Sequence, residues 1–486
     1  MTGTGRRLRI AVIGAGAGGI ATVIRLRERG DHEVVVFEKA SEPGGTWRDN
    51  TYPGITCDVP SHLYRFSFAP NPDWSSKYSP GPEIQAYMRK VAADFGVEPT
   101  IRYDSEVTSA DWREGAWEIT TTQGPQGRFD AVITAVGILH HPALPDIEGL
   151  EDFAGTAFHT ARWDHSVPLE GKRIGVIGTG STAIQVVPAI VDRAEKVSLF
   201  QRTAQWILPE PNLPIPEEKR AAYRADPSLL AGQYDHLAQA FNGAFCAAVA
   251  GEAPDVYDRM AQACRDNLAT VADPALRARL TPDYRMGCKR LIVSSLFYPA
   301  IQRPDAELAT EGITRIEAGG VRTTDGRLHE LDVLVLATGF DAHHPFGDMR
   351  ITGRSGRSLS ETWARGNVTY RGVTVPDLPN WFMLGGPNSP LGNFSFLMTA
   401  ERQLSYVLQL VDLLASGRAR EITPRPEPTA AWTQALKDRL AGSIWASGCR
   451  SWYFDPHGNV ATYPWSYETF EAEMKAPVLE DYALSA

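Results

Sequence analysis

Residues 8–19 read LRIAVIGAGAGG. The run from Leu8 to Ile13 is apolar apart from Arg9, the pattern of a parallel strand buried on both faces. It breaks at Gly14, Gly16 and Gly19, in G-x-G-x-x-G spacing. A helix-like segment follows, then a second apolar strand, EVVVF, that ends at Glu38. Each residue type has a physical reason to be there. Gly14 makes the turn, Gly16 lets the backbone approach a pyrophosphate, and Gly19 lets helix and strand pack closely. The pyrophosphate sits on the helix N-terminus, and an acid at the end of the second strand accepts hydrogen bonds from a ribose.

The same grammar recurs at GKRIGVIGTGSTAIQVV, where Gly178, Gly180 and Ala183 stand in G-x-G-x-x-A form. Thr179, Ser181 and Thr182 fill the turn, and the second strand, KVSLF, runs into Gln201, Arg202 and Thr203. Glu38 lies 19 residues after Gly19, and Arg202 lies 19 residues after Ala183. Equivalent positions therefore carry opposite charges. An acid suits a free ribose 2′-hydroxyl, whereas an arginine grips a 2′-phosphate bidentately. The first unit is expected to hold a nucleotide without that phosphate and the second to hold NADP(H); the alternative for Arg202 is a solvated surface arginine. Two further strand-like runs, FDAVITAVG at 129–137 and LDVLVLATGF at 331–340, each end in a small-residue turn and would close one unit and carry the chain to the other.

Between about Arg202 and Arg290 the pattern changes. Tyr234, Leu237, Phe241 and Phe245 fall on one helix face, as do Tyr257, Met260, Cys264 and Leu268, so an inserted set of amphipathic helices is expected, its aromatics serving as core. The pairs His140/His141 and His343/His344 lack nearby carboxylate or cysteine ligands at helical or hairpin spacing, and no metal is expected.

A chain of 486 residues, 43% hydrophobic, is long enough for several domains and a large core. Its 48 basic and 58 acidic residues give a net charge of -10, against a nucleic-acid or anionic-membrane partner. No run reaches the roughly 18 apolar residues of a spanning helix, and the N-terminus has no signal-peptide core. Five dispersed cysteines without CxxC suggest a reduced, cytoplasmic protein. Composition does not define the oligomeric state.

Two longer patterns carry a family resemblance. FAGTAFHTARWD holds Phe153, Gly155, His159, Trp163 and Asp164, and GGTWRDNTYPGITCD holds Gly44, Gly45, Trp47, Tyr52, Pro53, Gly54 and Asp58. Both resemble fingerprints of the class B flavoprotein monooxygenases, specifically the type I Baeyer–Villiger monooxygenases, and the likeness runs from Ile10 to about Trp465. The resemblance implies an α/β protein with two Rossmann-like domains. Residues 1–139 and 343–486 would bind FAD, 140–210 and 280–342 would bind NADP, and 211–279 would form the helical insertion. It implies that NADPH reduces FAD, that the reduced flavin captures dioxygen as a C4a-peroxide, and that a ketone becomes an ester or lactone.

Such chemistry develops oxyanions that a fixed cation must stabilise. By resemblance Arg290, in GCKR, is that cation and Asp58 the carboxylate that orients it. Lys289 joins Arg202 and Thr203 at the 2′-phosphate, and Trp452 contacts the nicotinamide cofactor. Thr46, Trp47, Asp58, Tyr64, Val107, Gly386 and Pro387 join the flavin set. The linker residues Phe153, Gly155, His159, Trp163 and Asp164 are read as interdomain packing and hinge, in preference to a general-base role for His159. A heteroatom-oxidising flavin monooxygenase is the nearest alternative. A disulfide reductase would need a redox CxxC that is missing, and a non-catalytic NADPH sensor would not need Arg290 and Asp58.

Overall fold

The computed structural model describes residues 6–390, 392, 394–455, 457–459 and 461–485. Two parallel five-stranded sheets organise it. The first runs Trp381–Met383, Ala131–Thr134, Arg9–Ile13, Glu33–Phe37, Ile101–Arg102 from edge to edge. The second runs Ala306–Ala309, Lys196–Phe200, Arg173–Ile177, Val333–Leu336, Thr156–His159. In each, the glycine-terminated strand is central, flanked by the strand that precedes the charged residue and by a closing strand. Those closing strands, Ala131–Thr134 and Val333–Leu336, come from the two echoing runs.

The glycines behave as their positions demand. Gly14 has φ +101°, and a Cβ there would lie 2.7 Å from the Ala135 carbonyl oxygen; Gly178 has φ +113° and would meet Ala337 O at 2.3 Å. Thus the small-residue turn after each closing strand presses on the glycine turn beside it. At Gly19 a Cβ would stand 1.9 Å from Gly14 O, so helix Ala17–Arg27 lies almost on its strand. Gly19→Ala is expected to cost about 1–3 kcal/mol through overpacking and to empty the first nucleotide site. Thermal unfolding and the cofactor absorbance of the purified protein check this.

The first sheet is covered by Ala17–Arg27 and by the 20-residue helix Phe396–Ala415, whose Leu404, Val407, Leu410 and Val411 share one core with Ile10, Val12, Ile20 and Val23. The second has its own core of Ile174, Val176, Val187, Val197, Leu199 and Val335. Two of the residues in that second core, Tyr52 and Ile55, arrive from the first half of the chain.

The insertion is helical, with Glu217–Ala225, Pro227–Ala240, Pro254–Ala269 and Pro274–Arg279. One feature departs from the expected periodicity: Phe241–Cys246 forms a widened π-helical turn. Phe241 and Phe245 lie with ring centroids 5.2 Å apart, tilted by 33°, and pack half-buried against the first core, while Cys264 and Leu268 are buried.

The expectation of an all-reduced set of cysteines is corrected. Cys288 and Cys449, 161 residues apart, are joined by a disulfide, and Cys57, Cys246 and Cys264 lie buried outside it. Spacing in sequence carries no trace of a pair that distant chain segments bring together.

Candidate active site

At the first glycine turn Glu38 is buried and held on three sides. One carboxylate oxygen accepts the Ala15 N–H at 2.7 Å; the other accepts the Ala40 N–H at 3.0 Å and an Arg48 N–H at 2.9 Å. Arg48 also reaches Asp49 at 2.8 Å, and although burial opposes its charge, these two acids hold it above the usual arginine range. Gly16 caps its helix without a side-chain partner, and a Cβ there would meet nothing closer than Gly45 Cα at 3.6 Å. Uncapped N–H groups, open space and a fixed acid suit a dinucleotide. Thr46 and Trp47 open the next short helix, Trp47 donating its indole N–H to Tyr64 at 3.1 Å. Val107 packs in a core with Phe37, close to the end of the same strand. Gly386 and Pro387 lie in the turn after Trp381–Met383, anchored where buried Gln403 accepts the Gly385 N–H at 2.7 Å and donates to Ser389 at 2.7 Å.

At the second turn Gly180 likewise caps its helix with no side-chain bond and has nothing within 4 Å of a built Cβ. Ser181 and Thr182 begin that helix, and Ala183 is buried against the sheet. Arg202 is exposed at the end of the neighbouring strand. Thr179 donates to the Thr203 carbonyl at 2.7 Å, Gln205 reaches Thr179 at 3.3 Å, and Tyr284 donates to Gln205 at 2.9 Å. Lys289 lies over the Tyr284 ring at 4.9 Å; burial and the neighbouring Arg202 charge lower its pKa. Two neighbouring cations beside a helix N-terminus make a site for a polyanion. Gln205 and Tyr284 escaped sequence reading because neither belongs to a spaced motif.

Between the cradles, Asp58 and Arg290 meet across 232 residues. One Asp58 oxygen accepts two guanidinium N–H groups, at 2.9 Å and 2.5 Å, and a third donates to Gly392 O at 3.1 Å. About a third of the Arg290 side chain stays exposed, 30% by area. Burial works against its charge, but Asp58 outweighs it and holds the pKa above the ordinary arginine range. The neighbouring Cys57 thiol is pushed up by burial and by Asp58, so it stays protonated. Burial also raises the Tyr453 phenol to about 12 despite the pull of Arg290, leaving it a neutral donor. Gly392, at φ +100°, is wedged here, since a Cβ would lie 2.5 Å from Tyr453 Oη and 3.0 Å from the Trp452 ring. Trp452 in turn lines a small cavity with Gly386, Pro387, Asn388 and His343.

The fingerprint residues gather elsewhere. His159 ends the edge strand of the second sheet; its Nδ1 accepts the Ala161 N–H at 3.1 Å, its ring lies 5.9 Å from Phe340, and burial lowers its pKa, keeping it neutral. Trp163 packs on Phe158 at 4.9 Å in the core that also takes Tyr52 and Ile55. Asp164 accepts the Ser166 N–H and hydroxyl in a local turn. Gly155 leaves no room for a Cβ, 2.4 Å from Asp332 O, and Phe153 packs beside Leu331 and Leu334. The Tyr-Pro-Gly segment faces the same boundary. Tyr52 donates to Gln185 at 3.0 Å, Gln185 donates to Thr56 O at 3.1 Å, and a Cβ on Gly54 would lie 2.5 Å from Gln185 O. Gln185, on the helix after the second glycine turn, is the buttress that sequence reading missed.

The histidine pairs have other neighbours. Lys39 lies 3.1 Å from His140, whose ring lies tilted 4.0 Å from that of His141, and His344 pairs with Asp341 at 2.8 Å. Among the described residues no group of three or more His, Cys, Asp or Glu is placed to hold a metal.

Two parallel sheets, each presenting a glycine turn at an uncapped helix N-terminus, one with the buried Glu38 and one with the exposed Arg202 and half-buried Lys289, define a protein that holds two dinucleotides. Comparison with known proteins sharpens this. Residues 7–212 match the flavin-binding monooxygenase-like family model. An uncharacterized monooxygenase of Mycobacterium tuberculosis is 44% identical over 99% of this chain and 97% of its own. A Baeyer–Villiger monooxygenase of Streptomyces coelicolor is 40% identical over 98% and 92%. The crystal structure of cyclohexanone monooxygenase from Rhodococcus sp. Phi1 bound to NADP+ superposes with a TM-score of 0.88 at 32% identity, over 99% of this chain and 100% of the other. The chain belongs to the flavin-binding monooxygenases and, within them, to the type I Baeyer–Villiger family. No helix among the described residues is long and apolar enough to cross a membrane.

Proposed function

We propose that the protein catalyses the NADPH- and dioxygen-dependent insertion of one oxygen atom beside a ketone carbonyl, yielding an ester or lactone, NADP+ and water. The single observation that carries this reading is the Arg290 side chain, about a third exposed, with its guanidinium locked by Asp58 and Gly392 between the two dinucleotide cradles. FAD, when bound, supplies electron transfer from NADPH and the activation of dioxygen. The rest is done by side chains. Arg290 presents a permanent positive charge to the oxygen that becomes anionic, and Asp58 keeps the guanidinium plane from turning away. Tyr453 and Trp452 pack against Gly392, whose carbonyl accepts from the guanidinium and fixes it.

In this reading Gly14, Gly16, Gly19, Glu38, Thr46, Trp47, Asp58, Tyr64, Val107, Gly386 and Pro387 hold FAD, within residues 1–139 and 343–486. Gly178, Thr179, Gly180, Ser181, Thr182, Ala183, Arg202, Thr203, Lys289, Arg290 and Trp452 hold NADP(H), within residues 140–210 and 280–342, with 211–279 inserted. The buried, neutral His159 and the packed Trp163 belong to the interdomain boundary, as does the fixed Tyr52–Gln185 contact. A cytoplasmic setting accords with the demand for NADPH, and there the Cys288–Cys449 bond would face a reducing thiol pool.

The test offers the purified holoenzyme NADPH and isotopically labelled dioxygen with cyclic and linear ketones, and in parallel with thioethers and amines. One labelled oxygen in an ester, with one NADPH consumed per ester, is the expected result. Labelled sulfoxide or hydroxylamine without any ester would move the protein to heteroatom oxidation.

A further inference from the structure

The disulfide joins two segments whose neighbouring residues belong to the site. Cys288 immediately precedes Lys289 and stands two residues before Arg290, on a loop that turns at Gly287, φ +84°. Cys449 stands three residues before Trp452 and four before Tyr453. Cys288 is fully buried and Cys449 half-buried, in an apolar cluster where Val249 of the insertion meets Leu440, Ile444, Trp445 and Tyr453 of the C-terminal segment. Between the helices Pro426–Ala441 and Tyr467–Glu473 the described residues form a single 3₁₀ turn, Ile444–Ala446. Among the described residues no ladder of backbone bonds fastens Trp452 to the Lys289–Arg290 loop, and the covalent link ties the two segments directly.

We propose that Cys288 and Cys449 are positioning residues: their bond clamps the Trp452–Tyr453 segment onto the Lys289–Arg290 loop, so the disulfide and dithiol forms differ in their grip on NADP(H). The inference rests on the placement of Lys289 and Trp452 at NADP(H) made above. Closure needs an oxidant, and a hydroperoxide serves. The half-exposed Cys449 thiolate attacks the peroxide oxygen, giving a sulfenic acid and water after proton transfer. The Cys288 sulfur then displaces that oxygen as a second water and forms the S–S bond. In sum, two thiols and hydrogen peroxide give one disulfide and two waters, the thiols being oxidised and the peroxide reduced. A small dithiol reverses it by thiol–disulfide exchange, leaving as its own cyclic disulfide.

The experiment uses the FAD-loaded full chain in three states: as purified, treated with dithiothreitol, and reoxidised with dilute hydrogen peroxide after the reductant is removed. Alkylation and peptide mass analysis report the 288–449 link, and titration with NADP+, followed calorimetrically, reports affinity without any turnover. Reduction is expected to raise the Kd for NADP+ about tenfold, the cost of re-ordering two long side chains on binding, and peroxide is expected to restore it. Cys449→Ser should bind as reduced wild type does and respond to neither reagent. A purely structural bond would lower the melting temperature and leave Kd unmoved. That outcome overturns the proposal, as does a peroxide-treated wild type with no 288–449 link, or a Cys449→Ser variant that binds as tightly as the oxidised protein. Redox-dependent NADP+ affinity in a protein that makes no ester would overturn the assigned reaction and leave the clamp standing. Ester formation with a redox-independent Kd would do the reverse, and no NADP+ binding in any state would overturn both.

Discussion

Arg290→Ala is expected to lower ester formation about 100- to 1,000-fold, the usual consequence of removing one preorganised donor from a developing oxyanion, while FAD stays bound and NADPH still reduces it. The separation follows from where Arg290 stands. Its three hydrogen bonds go to Asp58, twice, and to Gly392, away from both glycine turns. Anaerobic reduction monitored at the flavin absorbance and ester quantified by gas chromatography read the two halves independently. Arg290→Lys tests the geometry further. An ammonium is a compact point charge without the planar fork, so it cannot satisfy Asp58 in two directions and Gly392 in a third from one fixed plane. A loss between wild type and alanine is expected. Ordinary turnover in Arg290→Ala would remove the residue from the chemistry altogether. The pH dependence has a definite sign as well. Asp58 holds the Arg290 pKa above the usual arginine range, so its charge persists throughout the working pH range, and any alkaline fall in rate must come from another group.

The sequence made the two cradles legible because their determinants are local. A buried strand, three spaced glycines, a helix and a charged residue follow one another within about 30 residues, and each has its own steric or electrostatic reason. Gly14, Gly19 and Gly178 sit where a Cβ would strike backbone, as that logic requires. The echo between residues 129–137 and 331–340 was legible for the same reason: both supply a closing strand whose turn presses on the glycine. What escaped is non-local. Arg48 reaches Glu38 from a different turn, Gln205 and Tyr284 join Thr179 through side chains alone, and Gln185 meets Tyr52 across 133 residues. None of these contacts leaves a periodicity. The Asp58–Arg290 pair was reached only through resemblance, and the disulfide was missed because an argument from cysteine spacing sees neighbours in sequence and not in space. The π-helical turn at Phe241–Cys246 escaped because the spacing of Tyr234, Leu237, Phe241 and Phe245 reads as an unbroken helix face.

Arg202→Ala is expected to raise the KM for NADPH roughly 10- to 150-fold, as for a charge-assisted hydrogen bond worth about 1.5–3 kcal/mol, and to leave the KM for NADH nearly unchanged. The asymmetry is the content of the prediction. Arg202 lies at the same strand end as Glu38 but one residue further on, two past Phe200, the partner of Ile177, where Glu38 is one past Phe37, the partner of Ile13; in the proposed reading the ligand group it discriminates is the one at the ribose 2′ position. Unlike Glu38, which is buried and engaged by Ala15, Ala40 and Arg48, Arg202 is exposed. Removing it therefore strands no buried partner and exacts little from folding. Lys289→Ala should act in the same direction with a smaller ratio. Its ammonium already rests on the Tyr284 ring and shares the anion with Arg202, whose repulsion it would relieve on leaving. The double variant should then lose more than the product of the two single effects, because each cation is worth less while the other is present. Steady-state kinetics with both nucleotides at saturating ketone supply the four ratios. An Arg202→Ala enzyme that keeps its preference for NADPH would place the 2′-phosphate elsewhere, and the opposition of charge between the two cradles would then carry no specificity.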